Sequence, residues 1–436
     1  MKKNIYKLTF GFSLFASLLQ AQEVIPISKA EVLTKVSEEN RSIKVSEQEY
    51  NEAKADYNQT NSVFLPNITA SHTAISTTNP LMAFGSKLNQ EILTQADFNP
   101  TLLNDPSRIE NFATKIEVQQ PLVNFDGVFQ RKAAKTKMKA MALKTERTAD
   151  YLEFEVEKAY MQLQLAYKAV EVLEKALESA ESNKKLAENS FKQGYLQRAD
   201  VLSVEVRVTE VLNHLQTAKS NVKNASNYIS FLMNENQDII FQPTDDLKVS
   251  MMGLEEKSIS ENRSDIRAME LVANAYETML KADKMTFLPR LNAFGSYELY
   301  DDQIFQGNAN GYLIGAQLSW DLFQGSKRFG KVQKSKAEFE KSKLQYEEYV
   351  SKSQLELNKA RRMLMDAENK LKLTELALEQ SKESLRIRTN RFQEGLEKTS
   401  DLLLAETQVS QKELEYFQTV FEYNFAHAYL QFLTKE

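Results

Sequence analysis

Cysteine is absent from this sequence, and histidine, glycine and proline are scarce. Without cysteine the chain can form no disulfide framework, no thiolate metal site and no lipid-modified N-terminal cysteine. The 3 histidines, His72, His214 and His427, are widely scattered, so a histidine metal cluster is not expected either. Only 12 glycines and 8 prolines serve 436 residues, which is too few for the turns of several globular domains. Long uninterrupted elements are implied.

A strong excess of one charge is also missing. Charged residues make up 26% of the chain and the formal net charge is −5, so neither a basic nucleic-acid surface nor an acidic tail is present. No nucleophile, metal cluster or phosphate loop stands out, and the carboxylates follow helical patterns that salt pairing explains. We therefore predict no catalytic residue, no metal site, no cofactor and no nucleic-acid partner, and an enzyme is not expected.

The N-terminus has the pattern of an export signal. Lys2, Lys3 and Lys7 precede the run LTFGFSLFASLL, and a small residue follows at Ala21. That run is far shorter than the roughly 20 residues of a spanning helix. We predict a signal peptide over residues 1–21; a buried first helix is the alternative. No later segment is apolar for long enough to form a transmembrane helix, so any membrane span must be made of strands.

The rest of the sequence contains an internal duplication. The residues Glu-Asn-Arg-Ser open both 39–66 and 261–289, and both segments end in Phe-Leu-Pro. An alternating apolar run and a Phe-x-x-Gly turn follow in the same order in both halves. We predict an internal two-fold repeat, with copies at residues 22–235 and 259–436 and an equatorial linker at residues 236–258.

Long helices with an apolar seam fill most of each copy. Apolar residues alternate three and four apart, the spacing that keeps one helix face against a partner helix. In the first copy the seam runs through Val156, Ala159, Leu163, Ala166, Val170, Leu173, Leu177 and Ala180 and resumes in Val201, Val204, Val208, Val211, Leu215, Ala218, Val222, Ala225, Ile229 and Leu232. In the second copy it runs through Leu357, Ala360, Leu364, Ala367, Leu371, Leu378 and Leu385. We predict antiparallel coiled-coil hairpins with helices at about residues 127–192, 198–235, 326–393 and 399–435. Ser28 with Glu31, and Ser258 with Glu261, are expected to form capping boxes at corresponding helix starts.

Between the helices of each copy the period changes to two. Pro66 and Pro289 stop the preceding helix, and the following residues alternate between an apolar and a polar face. The apolar positions are Ile116, Val118 and Leu122 in the first copy, and Leu291, Ala293, Tyr297, Leu299, Tyr312, Ile314, Ala316, Leu318, Trp320 and Leu322 in the second. We predict four strands, at about residues 66–78, 109–123, 289–301 and 310–323.

Strands of this length with one apolar and one polar face are typical of membrane β-barrels. Four strands cannot close a barrel, and open edges in lipid leave backbone groups unsatisfied, so the edges must pair with other copies of the chain. Three copies would give a twelve-stranded pore. Tyr312 and Trp320 lie at the ends of the apolar face, where interfacial aromatics belong. The alternative is a soluble sheet that caps a helical bundle.

Taken together, these features resemble the TolC family of outer-membrane efflux proteins over essentially the whole mature chain. The resemblance rests on the duplicated helix-strand-strand-helix plan, the Leu-Pro before each first strand and the Phe-x-x-Gly turns. It rests also on Gln-Pro-Leu at 120–122 and Trp-Asp-Leu at 320–322, which end the second strands. It implies a mainly α fold with a membrane β-barrel part: a homotrimer with a twelve-stranded β-barrel in the outer membrane and an α-barrel of long helices across the periplasm.

The resemblance also implies function and partners. Members are outer-membrane channels of tripartite efflux or type I secretion systems, passive conduits from the periplasm to the outside. They dock on a periplasmic adaptor, or membrane fusion protein, and an inner-membrane pump of the RND or ABC type, with outer-membrane lipid around the barrel. The exported substrate stays open among drugs, metal ions and polypeptides. The rival interpretation is a periplasmic coiled-coil adaptor or structural scaffold, which would lack lipid-facing strands.

The hairpin tips carry the residues that the resemblance singles out for docking. Gly194 and Tyr195 in the first copy, and Gly395 and Leu396 in the second, match the tip motif through which family members meet their adaptor. A glycine there also supplies the left-handed cap that ends a helix. A turn glycine without a docking role is therefore the alternative at each tip.

The same resemblance predicts a periplasmic gate formed by Asp200, Asp401, Arg198 and Glu397. The two aspartates occupy the position of tip aspartates that line the closed periplasmic entrance, and helix capping is their alternative or additional role. In a trimer Asp401 would form a cation-attracting ring. The second acidic ring of the family falls on Leu404 here, and the basic tip residue of the second copy is replaced by Glu397. Arg198 is the candidate that compensates for that replacement.

Positive charge opens both long helices. The basic residues are Arg131, Lys132, Lys135, Lys137 and Lys139 in the first copy and Lys327, Arg328, Lys331, Lys334 and Lys336 in the second. Positive charge at a helix N-terminus opposes the macrodipole, so another interaction must favour it. Anionic head groups, an inward vestibule and a solvated helix face are the alternatives.

Overall fold

The computed structural model describes residues 24–235, 239–250 and 258–435. The predicted signal peptide lies outside the described residues, as do residues 236–238 and 251–257 of the predicted linker. The described chain is mainly helical, as predicted, with a smaller part in strands. Its α-helices are α1 (Lys29–Glu39), α2 (Arg41–Gln59), α3 (Pro80–Asn89), α4 (Pro100–Asn104), α5 (Phe125–Lys192), α6 (Arg198–Met233), α7 (Ser264–Met285), α8 (Lys327–Gln393) and α9 (Thr399–Thr434). Its strands are β1 (Val24–Ile27), β2 (Asn67–Thr77), β3 (Ile109–Val123), β4 (Ile240–Pro243), β5 (Arg290–Asp301) and β6 (Ala309–Ser319).

Helices α5, α6, α8 and α9 form the two long hairpins. Their ends lie within two residues of the predicted positions. The apolar seam is buried where the spacing placed it: Val156, Leu163 and Ile229 are 0% exposed, and Leu357 is 1% exposed. The three-and-four spacing therefore identified the face along which these helices contact their neighbours.

The first of the two predicted capping boxes is confirmed, and the second is wrong. The amide of Ser28 donates to Glu31 Oε2 at 2.8 Å, and the amide of Glu31 donates to Ser28 Oγ at 3.3 Å. In the second copy, however, helix α7 begins only at Ser264. Ser258 and Glu261 therefore precede the helix and do not cap it.

Tertiary contacts explain where α7 starts. Arg263, the residue before the helix, is 2% exposed, and its guanidinium donates to Asp265 at 2.6 and 3.0 Å and to Ser353 Oγ at 2.8 Å. Asp265 also accepts from the hydroxyl of Tyr349 at 2.7 Å and lies 3.3 Å from Arg147. This buried network holds the chain at residue 263, and the helix begins directly after it.

Strands β2, β3, β5 and β6 form one antiparallel sheet in that order. Its register gathers apolar residues on one face, in two neighbouring rows: Ile68, Val118, Gly295 and Ile314, and Ala70, Ile116, Tyr297 and Tyr312. The row between them, which has the opposite orientation, is Thr69, Glu117, Ser296 and Leu313. Lys115, on this opposite face, lies 3.3 Å from Glu298. The predicted separation of an apolar and a polar face is confirmed.

The fourth strand is shorter than predicted. Strand β6 ends before Trp320, so Trp320 and Leu322, which the alternation assigned to it, lie beyond the sheet. The indole Nε1 of Trp320 donates to the carbonyl of Phe287 at 2.9 Å, and Arg328 donates to the carbonyl of Asp321. These bonds hold the segment against the junction between α7 and β5. The apolar alternation in the sequence thus continues after the strand has ended.

The described part of the predicted linker contains strand β4, which pairs in parallel with β1. This small sheet lies against the middle of α5. The hydroxyl of Tyr160 donates to the carbonyl of Ile27 at 3.1 Å, and the hydroxyl of Tyr167 donates to the carbonyl of Phe241 at 3.0 Å. Two tyrosines on one helix therefore bind one strand each.

The chain divides into two compact units. The first combines the residues up to Arg41 with Asp150–Glu256 and Leu357–Leu433, and it contains both hairpin turns. The second combines Ser42–Ala149 with Lys257–Glu356 and the last residues, and it contains the four-stranded sheet. Each unit thus draws on both predicted copies. None of the described helices is both long and apolar enough to cross a membrane.

Candidate functional site

The predicted site residues lie at or beside the two hairpin turns. The first tip, residues 193–197, connects α5 to α6, and the second tip, residues 394–398, connects α8 to α9. Both tips belong to the first compact unit.

A left-handed glycine ends α5 at the first tip. Gly194 has a φ of +80°, which favours glycine because it lacks a Cβ atom. Its amide donates to the carbonyl of Phe191 at 2.9 Å, and the amide of Tyr195 donates to the carbonyl of Ser190 at 2.9 Å. These two bonds define a Schellman motif, which satisfies the last carbonyls of the helix. The motif leaves the Tyr195 side chain 79% exposed.

The second tip repeats this cap. Gly395 has a φ of +73°. Its amide donates to the carbonyl of Phe392 at 3.0 Å, and the amide of Leu396 donates to the carbonyl of Arg391 at 2.8 Å. Leu396 is 63% exposed. Each tip therefore presents one large apolar side chain directly after its glycine, and the cap that the sequence offered as the alternative role of both glycines is observed.

The two tip aspartates lie in the first turns of α6 and α9. Asp200 Oδ2 accepts from the amide of Gln197 at 3.0 Å, so this carboxylate satisfies an amide at the start of α6. The amide of Asp401 donates to the carbonyl of Lys398 at 3.1 Å, and Ser400 Oγ lies 3.4 Å from its carboxylate. A capping role is thus observed for Asp200, and the gate role of both aspartates stays a prediction.

Glu397 pairs with two arginines of its own hairpin. Its carboxylate lies 2.7 Å from Arg388 Nη1 and 2.8 Å from Arg391 Nε. The hydrogen bond from Arg391, together with the charge of Arg388, lowers the pKa of Glu397. Arg198, predicted to supply this charge, is exposed at the start of α6 and does not take part in these pairs. Neither Arg388 nor Arg391 was predicted as a partner of Glu397, because an ion pair across a turn leaves no periodic pattern in the sequence.

A groove of about 690 Å³ runs along this end of α8. It is lined by Leu376, Glu379, Gln380, Glu383, Ser384, Ile387, Arg388, Arg391 and Glu397. Two apolar side chains, Leu376 and Ile387, thus lie among charged groups of both signs. Such a mixed surface suits a protein partner better than a small apolar ligand.

A buried carboxylate joins helices from the two predicted copies. Glu406, on α9, is 6% exposed; its Oε1 accepts from Ser179 Oγ at 2.7 Å and from Asn183, both on α5. Its Oε2 has no hydrogen-bond partner among the described residues. Burial raises the pKa of Glu406, against the opposing effects of these hydrogen bonds and of the Arg207 charge. Within the same described residues, no three His, Asp or Glu side chains cluster as metal ligands would.

At each basic helix start one arginine contacts an aromatic ring of the same chain. The guanidinium of Arg131, near the start of α5, lies 4.4 Å over the ring of Tyr57 and donates to its hydroxyl at 2.9 Å. Arg328, at the start of α8, lies 4.8 Å over the ring of Phe287 and donates to the carbonyl of Thr286 at 3.2 Å. Cation–π contacts and hydrogen bonds therefore hold both arginines, and at Arg328, in the first turn of α8, they offset the unfavourable macrodipole.

The chain matches one known protein family over most of its length. A family model described as outer membrane efflux protein matches residues 32–235 and 257–433. No curated protein matches the chain.

Solved structures share the fold at low sequence identity. A membrane protein from Pseudomonas aeruginosa gives a TM-score of 0.81 at 16% identity, with 93% of both chains covered. CusC, described in terms of folding and transmembrane channel formation, gives a TM-score of 0.80 at 13% identity, with 99% of this chain and 98% of that chain covered. The Campylobacter jejuni CmeC outer membrane channel gives a TM-score of 0.78 at 15% identity, with 100% of this chain and 94% of that chain covered. At these identities the likeness concerns the fold.

Proposed function

The chain belongs to the outer membrane efflux protein family, and from this premise we propose that three copies of it form a channel across the outer membrane. The strands of the three copies close a twelve-stranded β-barrel, and the long helices form an α-barrel in the periplasm. The channel is a passive conduit from the periplasm to the outside, in a tripartite efflux or type I secretion system. The family is one of channels rather than enzymes, and the proposal includes no catalytic activity.

One observation carries the proposal: the four-stranded sheet has an exposed apolar face and two edges without a partner among the described residues. On that face Tyr312 and Ile314 of β6 are 79% and 78% exposed, and Ile68 of β2 is 64% exposed. Hydrocarbon stabilises such a face, but every edge N–H and C=O in lipid needs a hydrogen-bond partner. Copies of the same chain offer matching edges, β6 of one against β2 of the next, and this head-to-tail contact closes a ring.

The hairpin tips are proposed to dock on a periplasmic adaptor, which connects the channel to an inner-membrane pump. Gly194, Tyr195, Gly395 and Leu396 form the docking surface. This proposal is supported by the exposed apolar side chain that each glycine cap presents, Tyr195 at one tip and Leu396 at the other. Folding of the hairpins does not require these side chains to be apolar. An RND pump and an ABC pump suit the surface equally.

We assign the periplasmic gate to Asp200, Asp401, Arg198 and Glu397. Asp401 belongs to the first turn of α9, and three copies around one axis would bring three such carboxylates together. Glu397 is already neutralised by two arginines, so it adds little negative charge to the ring. We therefore expect Asp401 to dominate the electrostatics of the closed entrance.

The test is single-channel recording of the purified protein in planar bilayers. Asp401→Ala should raise the conductance and lower the cation selectivity, because it removes three carboxylates from the narrowest point. Asp366→Ala, an exposed aspartate on α8, is the matched control and should change neither. Unchanged conductance and selectivity in Asp401→Ala would remove the gate assignment, and a protein without any channel activity would remove the proposed function.

The rival function, a periplasmic adaptor or scaffold, differs in how the protein is held to the membrane. A scaffold is released from membranes by high salt, whereas the proposed channel needs detergent. Fractionation of cells therefore separates the two functions, and the exposed apolar face of the sheet favours the channel.

A further inference from the structure

Exposed apolar residues flank one end of the sheet. The registers place the starts of β2 and β5 at the same end as the last residues of β3 and β6. The segments that adjoin this end carry the apolar belt: Phe64, Leu65, Phe125, Val128, Trp320, Leu322, Phe323 and Phe329, all exposed. Trp320 is the only tryptophan of the chain. Aromatic residues in such a belt are typical of the boundary between lipid and water.

The two helices that leave this end become basic within a few residues. On α5 no acidic residue occurs between Asp126 and Glu146, and Asp126 is itself bound by Arg290 at 2.6 Å. The exposed lysines of both helix starts that have no carboxylate at ion-pair distance among the described residues form the basic collar. The basic collar consists of Lys132, Lys135, Lys137, Lys139, Lys327 and Lys336.

Other cations nearby do have partners inside the chain. Lys331 lies 2.6 Å from the buried Asp283, and Lys144 lies 2.7 Å from Glu49. Ion pairs within the chain therefore do occur in this region, at Lys331 and Lys144. The collar lysines have no such partner among the described residues, and Lys327 in addition lies in the first turn of α8, where positive charge opposes the helix macrodipole.

On α5 the belt and the collar share one helix face. Phe125, Val128, Lys132, Lys135 and Lys139 follow one another at alternating steps of three and four residues. At about 1.5 Å per residue, Lys132 and Lys135 lie about 10 and 15 Å along the helix from Phe125. Helical side chains incline toward the N-terminus, so both ammonium groups extend back toward the belt.

We propose that the basic collar binds the phosphate groups of anionic phospholipids on the periplasmic side of the membrane. This inference rests on the proposed function, because it needs the sheet to lie in lipid. A phospholipid whose acyl chains cover Phe125 and Val128 has its head group beside Lys132. Basic residues next to an apolar segment attract anionic lipid in this way.

Other occupants explain the pattern less well. Contacts between copies would bury unpaired lysines, which is costly because their charge would lose its hydration. A water-filled interior would suit the lysines but not the apolar residues on the same helix face. An anionic phospholipid accounts for both parts of this helix face, because its acyl chains contact the apolar residues and its phosphate binds the lysines.

Trp320 provides the readout. The full-length protein is reconstituted into phosphatidylcholine bilayers that contain a small fraction of brominated phosphatidylglycerol or, separately, brominated phosphatidylcholine, and quenching of Trp320 fluorescence is measured. Replacement of all six collar lysines by glutamine is the test variant. The control for loss of positive charge elsewhere replaces three exposed lysines of the first compact unit by glutamine, Lys185, Lys192 and Lys223, and is compared with replacement of Lys132, Lys135 and Lys139 alone as well as with the full variant.

In the parent and the control, brominated phosphatidylglycerol should quench several-fold more strongly than brominated phosphatidylcholine, and salt should reduce the excess. In the collar variant the two lipids should quench equally. Equal quenching by both lipids in the parent would overturn the inference while leaving the membrane channel intact. No quenching by either lipid would mean that the belt does not meet lipid, and both the inference and the proposed function would fail.

Discussion

At the residue scale, the tip glycine Gly395 and the helical glycine Gly330 both have open space around them and differ in backbone conformation. A Cβ atom at Gly395 or at Gly330 would meet nothing within 4 Å. Gly395 has a φ of +73°, whereas Gly330 lies inside α8 without a positive φ. Alanine at position 395 therefore costs only the left-handed backbone, about 1 to 2 kcal/mol, and alanine at position 330 gains about 1 kcal/mol of helix propensity.

These opposite signs give a first prediction. Gly395→Ala should speed hydrogen exchange at the amide of Leu396 about five- to thirtyfold, because that amide closes the Schellman motif. Gly330→Ala should slow exchange in the first turns of α8. Native-state hydrogen exchange with mass spectrometry measures both, and a change of the same sign in the two variants would contradict the assignment of the cost to backbone conformation.

A second prediction concerns the buried carboxylate of Glu406. Burial raises its pKa above the ordinary value of 4.5, so the folded protein binds this proton at a higher pH than the unfolded chain. The contribution of Glu406 to stability is therefore complete below pH 4.5 and is lost as the pH rises through the raised pKa. Glu406→Gln stays neutral and keeps an acceptor for Ser179 and Asn183. We expect it to melt a few degrees higher than the parent at pH 8, with no difference at pH 4.

Asp265→Asn is the matched substitution of opposite sign. Burial acts to raise the pKa of Asp265, but hydrogen bonds from Arg263 and Tyr349 and the charge of Arg147 lower it overall. Its contribution to stability is present above pH 3.8 and is lost as the pH falls through the lowered pKa, so the asparagine variant should melt lower than the parent at pH 7. Circular dichroism melts between pH 4 and 9 test the pair. A glutamine variant that melts lower than the parent at pH 8 but equally at pH 4 would show that the Glu406 carboxylate stabilises the fold as an anion.

At the element scale, an arginine near the start of α5 and another at the start of α8 bind each helix to the segment before the first strand of its copy. In the first copy Arg131 of α5 contacts both the ring and the hydroxyl of Tyr57 on α2. The ring contact needs the planar guanidinium, and the hydroxyl contact needs an acceptor. The two components can therefore be separated by substitution.

This separation leads to a third prediction. Tyr57→Phe keeps the ring and should cost about 1 kcal/mol, the usual net value of one hydrogen bond. Tyr57→Leu removes the ring as well and should cost about 1 kcal/mol more. A double-mutant cycle with Arg131→Met, read from thermal unfolding, should give a coupling energy of about 1 to 2 kcal/mol. Equal costs of the two tyrosine variants in the Arg131→Met background would confirm that the guanidinium is the partner.

The ends of elements were predictable from the sequence where the deciding interaction is local. The long helices end at Gly194 and Gly395, whose caps involve only neighbouring residues, and the predicted ends agree with the structure within two residues. The predicted end of β6 and the predicted start of α7 were wrong because contacts with distant residues determine both positions. The indole of Trp320 donates to the carbonyl of Phe287, and the guanidinium of Arg263 donates to Ser353. Periodicity contains no record of such contacts.

The same distinction applies to the candidate site. The carboxylate of Asp200 accepts a hydrogen bond from the amide of Gln197, three residues away, and helix capping was among the roles predicted for Asp200. The partners of Glu406 are more than 200 positions away, on α5, and no pattern connects them in the sequence. Arg388 and Arg391 carried no signal either, because single arginines on an exposed helix are common. Interactions between neighbouring residues could therefore be predicted from the sequence, whereas pairs of residues that are distant in the sequence could not.

At the scale of the whole molecule, the sequence repeat and the compact units divide the chain differently. The first unit joins the part of α5 from Asp150 onward, and α6, with the part of α8 from Leu357 onward and nearly all of α9, which belong to the other copy. In its core, the ring of Phe154 on α5 lies 5.3 to 5.7 Å from those of Phe425, Tyr429 and Phe432 on α9. One copy alone would leave these rings in water.

A fourth prediction follows for a chain divided between its copies. Residues 24–235 or residues 258–435 expressed alone should fail to form trimers and should be degraded, because each would expose half of a shared core. The two halves, each placed behind the predicted signal peptide and expressed together, should assemble. Detergent extraction followed by size analysis tests this outcome. A half that forms a stable complex by itself would show that the repeat is an independent folding unit.

The pairing of β1 with β4 has a consequence for biogenesis. Val24 stands at the beginning of the described chain and takes its partner from Ile240, about 200 residues later. At about 5 to 20 residues per second, synthesis separates the two by about 10 to 40 seconds. During that interval the earliest strand has unpaired backbone groups and no sheet to join. A holdase would therefore be needed most by chains that have not yet delivered β4 to the compartment where the protein folds. Released chains that end before Ile240 should be retained by such a factor longer than chains that extend well past Pro243.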